Sequence, residues 1–431
     1  MIGNPPWVRP HAVPAEQRAE LRSRFVTLRD AAWRAGAEAA AAGRGFASQA
    51  DLAALFTERS VHLARAGGAV ALVLPAKLWI ALAGGGVRRF LTEHAPPLHL
   101  EDLSSDSAGF GAVVYPSLLL ARRLASDDAA GPDLLASTHR SGRALSWRVQ
   151  RERLALDGSP GAPWLLLPSD VRDAFDRLVH AGTPLAATRL GRPLLGVKSG
   201  CNDAFLLTRL AAERRGLGGA ILRPVLRGED LTGWNDLGGR RDSCILWTHD
   251  ADGVALAELP PAARRHLAPW RRRLELRSDA RGARWWALFR TEAARYDRAR
   301  VVWGDIGRTP RAIVLEPGDR TVPLNTCYVV RTSTVDDAYA LAALLNTPLA
   351  AAWLSVIAEP ARGGYRRFLG WTCARFPIPA AWDVARPALA AIGRALAQGV
   401  AFDSWTMTEA ALTAYGVPHA DVAPLLSWHS L

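Results

Sequence analysis

Gly67-Gly68-Ala69-Val70-Ala71-Leu72-Val73-Leu74-Pro75 decides the fold class. The glycine pair stops any preceding helix, six apolar residues follow without a break, and a proline closes the run. A run so short and apolar throughout has the pattern of a buried parallel strand. Helix-like text flanks it. Upstream, residues 15–42 are rich in Ala, Arg and Glu and end near Gly43, and residues 48–66 carry Leu52, Leu55, Phe56, Val61 and Leu63 as apolar positions. Downstream, residues 78–94 read as a helix interrupted or started by Gly84-Gly85-Gly86. Strands follow at 98–103 and 113–120, then a polar loop at 125–132 and an edge strand at 145–149. Strands and helices that alternate at this size predict an α/β, doubly wound sheet over residues 1–150.

Beyond about Ser159 the texture changes. Short β-like runs at 194–197, 204–207, 244–247, 301–303, 312–315 and 327–330 sit between Gly- and Pro-containing turns, with helix-like stretches at 261–276 and 334–345. This predicts an α+β domain over 151–380, and an Ala-rich helical tail over 381–431. The total of 431 residues suits two or three domains. Hydrophobic residues at 49% and charged residues at 22% exclude a wholly disordered chain. The longest apolar stretch is far below the roughly 20 residues of a membrane span. The N-terminus lacks the basic-then-apolar text of a signal peptide. Cys201, Cys244, Cys327 and Cys373 show no C-x-x-C spacing, so no disulfide framework or zinc site is read from them. They read as reduced, mostly buried thiols of a cytoplasmic protein.

The net charge is +12, and all but two of the 53 basic residues are arginine, Lys77 and Lys198 being the exceptions. Ala, Gly and Arg are abundant together, so codon bias contributes, but a nucleic-acid partner is a candidate. Many of the 16 tryptophans lie among arginines in mid-chain, as core or as contact surface.

Asn4-Pro5-Pro6-Trp7 carries the sharpest chemical signal; composition alone would produce Asn-Pro-Pro-aromatic in about one chain in 600. The exocyclic amine of adenine is a poor nucleophile, because its lone pair is delocalised into the ring. An enzyme that alkylates it must hold both N–H bonds. An asparagine oxygen accepts one, and a backbone carbonyl fixed by successive prolines accepts the other. The aromatic ring that follows can stack on the base.

Asn4-Pro5-Pro6-Trp7 resembles the catalytic motif of adenine-N6 DNA methyltransferases, which use S-adenosylmethionine. The text that follows agrees in order. Residues 67–75 are similar to the glycine turn, strand and proline of that family, Arg88-Arg89-Phe90-Leu91 to its next helix, and Phe110-Gly111-Ala112-Val113-Val114-Tyr115-Pro116-Ser117 to its Phe-containing segment. The resemblance implies that Phe110 stacks on the extruded adenine opposite Trp7. It extends to the large bacterial restriction–modification type. Gly196-Val197-Lys198-Ser199-Gly200-Cys201-Asn202-Asp203-Ala204-Phe205, then Arg223-Pro224-Val225-Leu226-Arg227-Gly228-Glu229-Asp230-Leu231, resemble the opening of its target-recognition domain. Leu344-Leu345-Asn346-Thr347-Pro348 and Phe376-Pro377-Ile378-Pro379 resemble its close.

The resemblance thus implies the C-terminal half of a Rossmann-like methyltransferase sheet, a target-recognition domain and double-stranded DNA as partner. Lys198, Asn202, Arg227, Arg271, Arg272, Arg273 and Arg284 are the expected DNA contacts, the last four from an arginine-rich stretch interleaved with Trp270, Trp285 and Trp286. That stretch reads equally well as a solvated helix surface. In one respect the chain departs from the family. The family's Gly-rich cofactor turn precedes the Asn-Pro-Pro motif, whereas only three residues precede Asn4. Contacts to S-adenosylmethionine are therefore expected upstream, with the chain a C-terminal fragment, a mis-assigned start, or half of a split enzyme served by a separate N-terminal half or a restriction partner. The competing readings are a non-catalytic DNA-binding subunit and a degenerate remnant.

Overall fold

The computed structural model describes residues 1–8, 13–39, 51–104, 115–126, 128–140, 142–233, 242–280 and 282–430. Phe110, Gly43 and Gly45 lie outside the described residues. The chain is mixed α/β and gathers into two compact units. The first comprises Met1–Leu178, Ala352–Arg366 and His419–Leu431; the second comprises Val179–Ala351 and Arg367–Pro418. Texture alone gives three consecutive blocks, whereas compactness interleaves the stretches.

The first unit is built on β1 (Ile2–Gly3), α1 (Ala15–Arg24), α2 (Val26–Arg29), α3 (Arg34–Ala39), α4 (Ala53–Leu63), β2 (Ala69–Pro75), α5 (Lys77–Ile80), α6 (Gly85–His94), β3 (Pro97–Asp102), β4 (Pro116–Arg122), β5 (Asp133–Arg140) and β6 (Arg143–Gln150). Its sheet runs β1-β2-β4-β3-β5-β6. The expected strand at 69–74 is present, with Val70, Leu72 and Leu74 buried and Ala71 and Val73 half-buried on the other face. It is parallel to β1 but antiparallel to β4, which also runs antiparallel to β3. The sheet is therefore mixed, where the sequence predicted a parallel one: β4 lies between β2 and β3 and runs against both. The edge strand expected at 145–149 is β6. Its partner β5, Asp-Leu-Leu-Ala-Ser-Thr-His-Arg, went unread because five of its eight residues are polar.

The helix expected over 15–42 is broken into α1, α2 and α3. The first break is at Phe25, whose backbone is extended (φ −116°, ψ 122°). The cause is remote in sequence. The buried Glu58 carboxylate on α4 accepts hydrogen bonds from Val26 N (3.2 Å), Thr27 N (2.9 Å) and Thr27 Oγ1 (2.8 Å), capping a new helix. The Gly84–Gly86 run separates α5 from α6 and lets α6 lie against backbone. A Cβ on Gly85 would stand 2.5 Å from Trp33 N, and one on Gly86 2.5 Å from Thr27 O. Val87, Phe90 and Leu91 of α6 join Leu55, Val61 and the inward face of β2 in one core.

Among the described residues the second unit holds two four-stranded sheets. One orders Val322–Pro323, Leu222–Leu226, Ser243–Leu246 and Leu206–Thr208; the other orders Ala312–Leu315, Arg300–Gly304, Cys327–Arg331 and Leu194–Leu195. The run expected at 204–207 is half helix: Asn202–Phe205 form one turn before the strand begins at Leu206. The stretch at 261–276 splits at Pro269 into Pro261–Leu267 and Arg271–Glu275. The helix Val335–Leu345 begins where Thr334 Oγ1 accepts from Asp337 N (3.0 Å). The expected tail is helical, as Trp382–Ala397, Ser404–Tyr415 and His419–Ser430.

Part of the arginine excess is interior. Arg88 and Arg300 are fully buried and Arg223 is 2% exposed. Arg88 donates to the carbonyls of Leu78 (2.6 Å), Ala81 (3.0 Å) and Gly161 (2.8 Å), and burial pulls its pKa down to about 9. Arg223 donates to Ala294 O (2.6 Å) and Arg320 O (2.8 Å) with its guanidinium 4.2 Å from the Trp247 ring. Such arginines satisfy loop carbonyls and offer nothing to a partner, so the net charge overstates the cationic surface. All four cysteines are buried. No single helix among the described residues is long and apolar enough to cross a membrane.

Candidate functional site

Two places gather the residues singled out by sequence, one in each unit. In the first unit, β1, β2, β3 and β5 run the same way, so Asn4, Ala76 and Leu103 all leave the sheet at its carboxyl end, where open α/β sheets bind ligands. The Asn4-Pro5-Pro6-Trp7 loop is tied down on both sides. Ala71 N donates to Met1 O (2.8 Å) before it, and Leu52 N donates to Val8 O (3.0 Å) after it. Pro5 is buried, Asn4 and Pro6 are exposed, and the Asn4 amide has no partner among the described residues. Trp7 is half-buried against the core, its indole N–H donating to Val73 O (3.4 Å).

Sequence reading missed a charged pair close in sequence to the strand that anchors this loop. Asp51, 3% exposed and two residues before α4, accepts from Ala53 N (3.1 Å) and pairs with Lys77 Nζ (3.0 Å) just past the end of β2. Phe110 lies outside the described residues, so the second wall of a base sandwich has no geometry here.

S-adenosylmethionine, implied by the resemblance, would need a glycine turn able to receive it. The Gly84–Gly86 run cannot serve, because a Cβ at Gly84, Gly85 or Gly86 would strike protein backbone within 2.0–2.5 Å. These glycines are occupied by packing. That run therefore does not fit the cofactor.

In the second unit, Lys198, Asn202, Arg227 and Arg273 come together. They line two adjoining cavities of about 370 and 400 Å³ that share Asn202, Asp203 and Asn325. The cations there are paired: Lys198 with Asp279 (2.5 Å), Arg227 with Glu229 (3.3 Å) and Arg273 with Asp203 (3.4 Å). Asn325 was missed; its only sequence signal is turn chemistry in Pro-Leu-Asn-Thr. Arg271, Arg272 and Arg284 stand outside these cavities. Arg271 binds Glu275 (2.8 Å), Arg284 binds Ala257 O (2.5 Å), and Arg272 is exposed with no partner among the described residues.

The interleaved tryptophans are underlay. Trp270, Trp285 and Trp286 pack on the core, and Arg273, Arg271 and Arg284 lie over their rings at 5.7, 5.5 and 5.4 Å. Arg277, in the same stretch, turns inward. It donates to Leu274 O (2.9 Å), Trp285 O (2.7 Å) and Ser199 O, with the Phe289 ring 4.8 Å away.

No family model matches the chain. It is 27% identical over 99% of its length to the type II methyltransferase M.PaeR7I of Pseudomonas aeruginosa, covering 71% of that protein. It is 24% identical over 98% of its length to the type II methyltransferase M.XhoI of Xanthomonas vasicola, covering 75% of that protein. The fold is similar to that of the type IIL restriction-modification enzyme MmeI, solved in complex with DNA, with a TM-score of 0.64 at 12% identity. The match covers 99% of this chain and 56% of the MmeI chain, so the chain spans just over half the length of that solved structure.

Proposed function

We propose that this chain holds the target adenine and recognises duplex DNA for an N6-adenine-specific type II methyltransferase that uses S-adenosylmethionine. The observation that carries the reading is the Asn4-Pro5-Pro6-Trp7 loop, anchored on both flanks at the carboxyl end of the sheet with the Asn4 amide unpartnered. The Asn4 oxygen accepts one N–H of the adenine amine and a diproline carbonyl accepts the other. Fixed acceptors stabilise positive charge developing on that nitrogen without reorganising. Trp7 supplies one face for the extruded base, and Phe110 is assigned to the other. The second unit recognises DNA, with Lys198, Asn202, Arg227 and Arg273 along its cleft and Arg271, Arg272 and Arg284 toward phosphates. The relatives, both type II methyltransferases, support this reading along nearly the whole chain.

The test is adenine methylation across the host genome, mapped at single-base resolution. Replacing Asn4 by Ala at the native locus should cut the methylation rate by about 10²–10³, as for other single preorganised hydrogen-bond partners, while duplex binding persists. Wild-type methylation in the Asn4→Ala strain would refute the assignment. The packed Gly84–Gly86 run favours one second reading, a DNA-recognition subunit without methyl transfer. Under it, deleting the gene leaves the methylation map unchanged although the chain binds duplex.

A further inference from the structure

We infer that Asn325 is a base-reading residue, its side-chain amide pairing with the major-groove edge of one adenine in the DNA site. This rests on the DNA-recognition reading above and adds the residue and the base.

Asn325 sits at the tip of a turn closed by Cys327 N donating to Leu324 O (2.8 Å). Neighbouring backbone grips the turn on several sides. Leu324 N donates to Leu226 O (2.8 Å), Val197 N to Pro323 O (2.8 Å), Gly196 N to Cys327 O (2.9 Å) and Asp305 N to Thr326 O (2.9 Å). Thr326 Oγ1 accepts from Gly228 N (3.0 Å). Two glycines make this grip possible. A Cβ on Gly196 would stand 2.0 Å from Leu324 O, and one on Gly228 2.5 Å from Thr326 O. A side chain on so fixed a base needs little ordering on binding.

Chemistry then selects the ligand. The cations lining the cleft are each matched by a carboxylate, so it makes a poor phosphate groove. Two neutral amides, Asn202 and Asn325, also line it. Asn202 has spent its oxygen on Ser199 Oγ (2.6 Å). Asn325 is exposed, and neither its oxygen nor its amino group has a partner among the described residues. A side chain offering one acceptor beside one donor matches the N6 and N7 pair that adenine alone presents in the major groove.

The experiment selects bound duplexes from a pool randomised at its central positions, using the purified full chain, followed by sequencing. Wild type should enrich one motif. Asn325→Ala should lose preference at a single A·T pair, by a factor on the order of 10–100, and keep the other positions and its affinity for random DNA. Asn325→Asp should shift that position toward C·G, since a carboxylate accepts from the cytosine amine. A motif identical to wild type in Asn325→Ala overturns the inference and leaves DNA recognition standing. Loss of all duplex binding in that variant also overturns it, because Asn325 would then hold the turn. A wild-type chain that enriches no motif overturns the recognition reading itself, and this inference with it.

Discussion

Replacing Arg277 by Met should loosen the loop that carries Lys198 and Asn202. The guanidinium joins three backbone carbonyls from separate segments, Ser199, Leu274 and Trp285, and is 9% exposed. A hydrogen bond to a charged group contributes about 1.5–3 kcal/mol. Methionine keeps the aliphatic packing between Phe205 and Phe289 and leaves no unpaired charge, so the net loss should fall short of the threefold sum, at about 3–4 kcal/mol. Lysine can reach one of the three carbonyls, and Arg277→Lys should lose about 2 kcal/mol because its ammonium lacks the planar fork. The assay is amide hydrogen exchange on the full chain. Lys198 and Phe289 exchange backbone hydrogen bonds of 3.0 and 2.9 Å, and both amides should open faster by about 10²–10³-fold in the Met variant, at 1.4 kcal/mol per tenfold. Amides of the β2–β4 pair should not change. Wild-type exchange at Lys198 and Phe289 in Arg277→Met would refute the claim that this side chain organises the loop.

Trp7→Ala should weaken the fluorescence rise of 2-aminopurine placed at the target adenine, through loss of a stack worth about 1–3 kcal/mol; Trp7→Phe should keep the signal and cost about 1 kcal/mol in stability through the lost bond to Val73 O. A wild-type signal in Trp7→Ala would remove the stacking role. Changing Arg271, Arg272 and Arg273 together to Gln should flatten the slope of log K against log salt by about one unit, because Arg271 and Arg273 already hold carboxylates and only Arg272 is unengaged; an unchanged slope would set all three away from DNA. Burial pulls the His249 pKa from 6.5 down to about 4, so the unfolded chain binds the proton first. Stability is full above pH 6.5 and falls as the pH drops toward 4, by about 2 kcal/mol at pH 5. Urea titrations at pH 7 and 5 should show that loss in wild type and a smaller one in His249→Gln.

Sequence revealed the pieces whose causes are local. The β2 run, the glycine break before α6 and the helix start at Thr334 depend on neighbouring residues and lie where the sequence puts them, whereas the split at Pro269, also local, falls inside a stretch that reads as one helix. What escaped depends on distant groups. The break at Phe25 needs Glu58, thirty-odd residues on, and the insertion of β4 between β2 and β3 is a choice of neighbours that no periodicity records. The same holds for the sites. Asn4-Pro5-Pro6-Trp7 stands out as a candidate because the residues proposed to act are contiguous, whereas Asn325 shares its cleft with residues such as Lys198, more than a hundred positions away. Arginines gave the least reliable text. Arg271 and Arg277 look alike in sequence, yet one is exposed and the other satisfies three buried carbonyls.

The interleaving of the two compact units bears on how such a gene can be rearranged. The second unit is assembled from Val179–Ala351 and Arg367–Pro418, with fifteen residues of the first unit, Ala352–Arg366, threaded between them. A crossover that exchanged one continuous cassette with a relative would carry that insert along and set a foreign strip into the recipient's first unit. Under the proposed DNA-recognition reading, new target preferences should therefore arise by substitutions at turn tips such as residue 325 more readily than by wholesale cassette exchange. Laboratory chimaeras should tolerate paired grafts at all the joints better than a single long one.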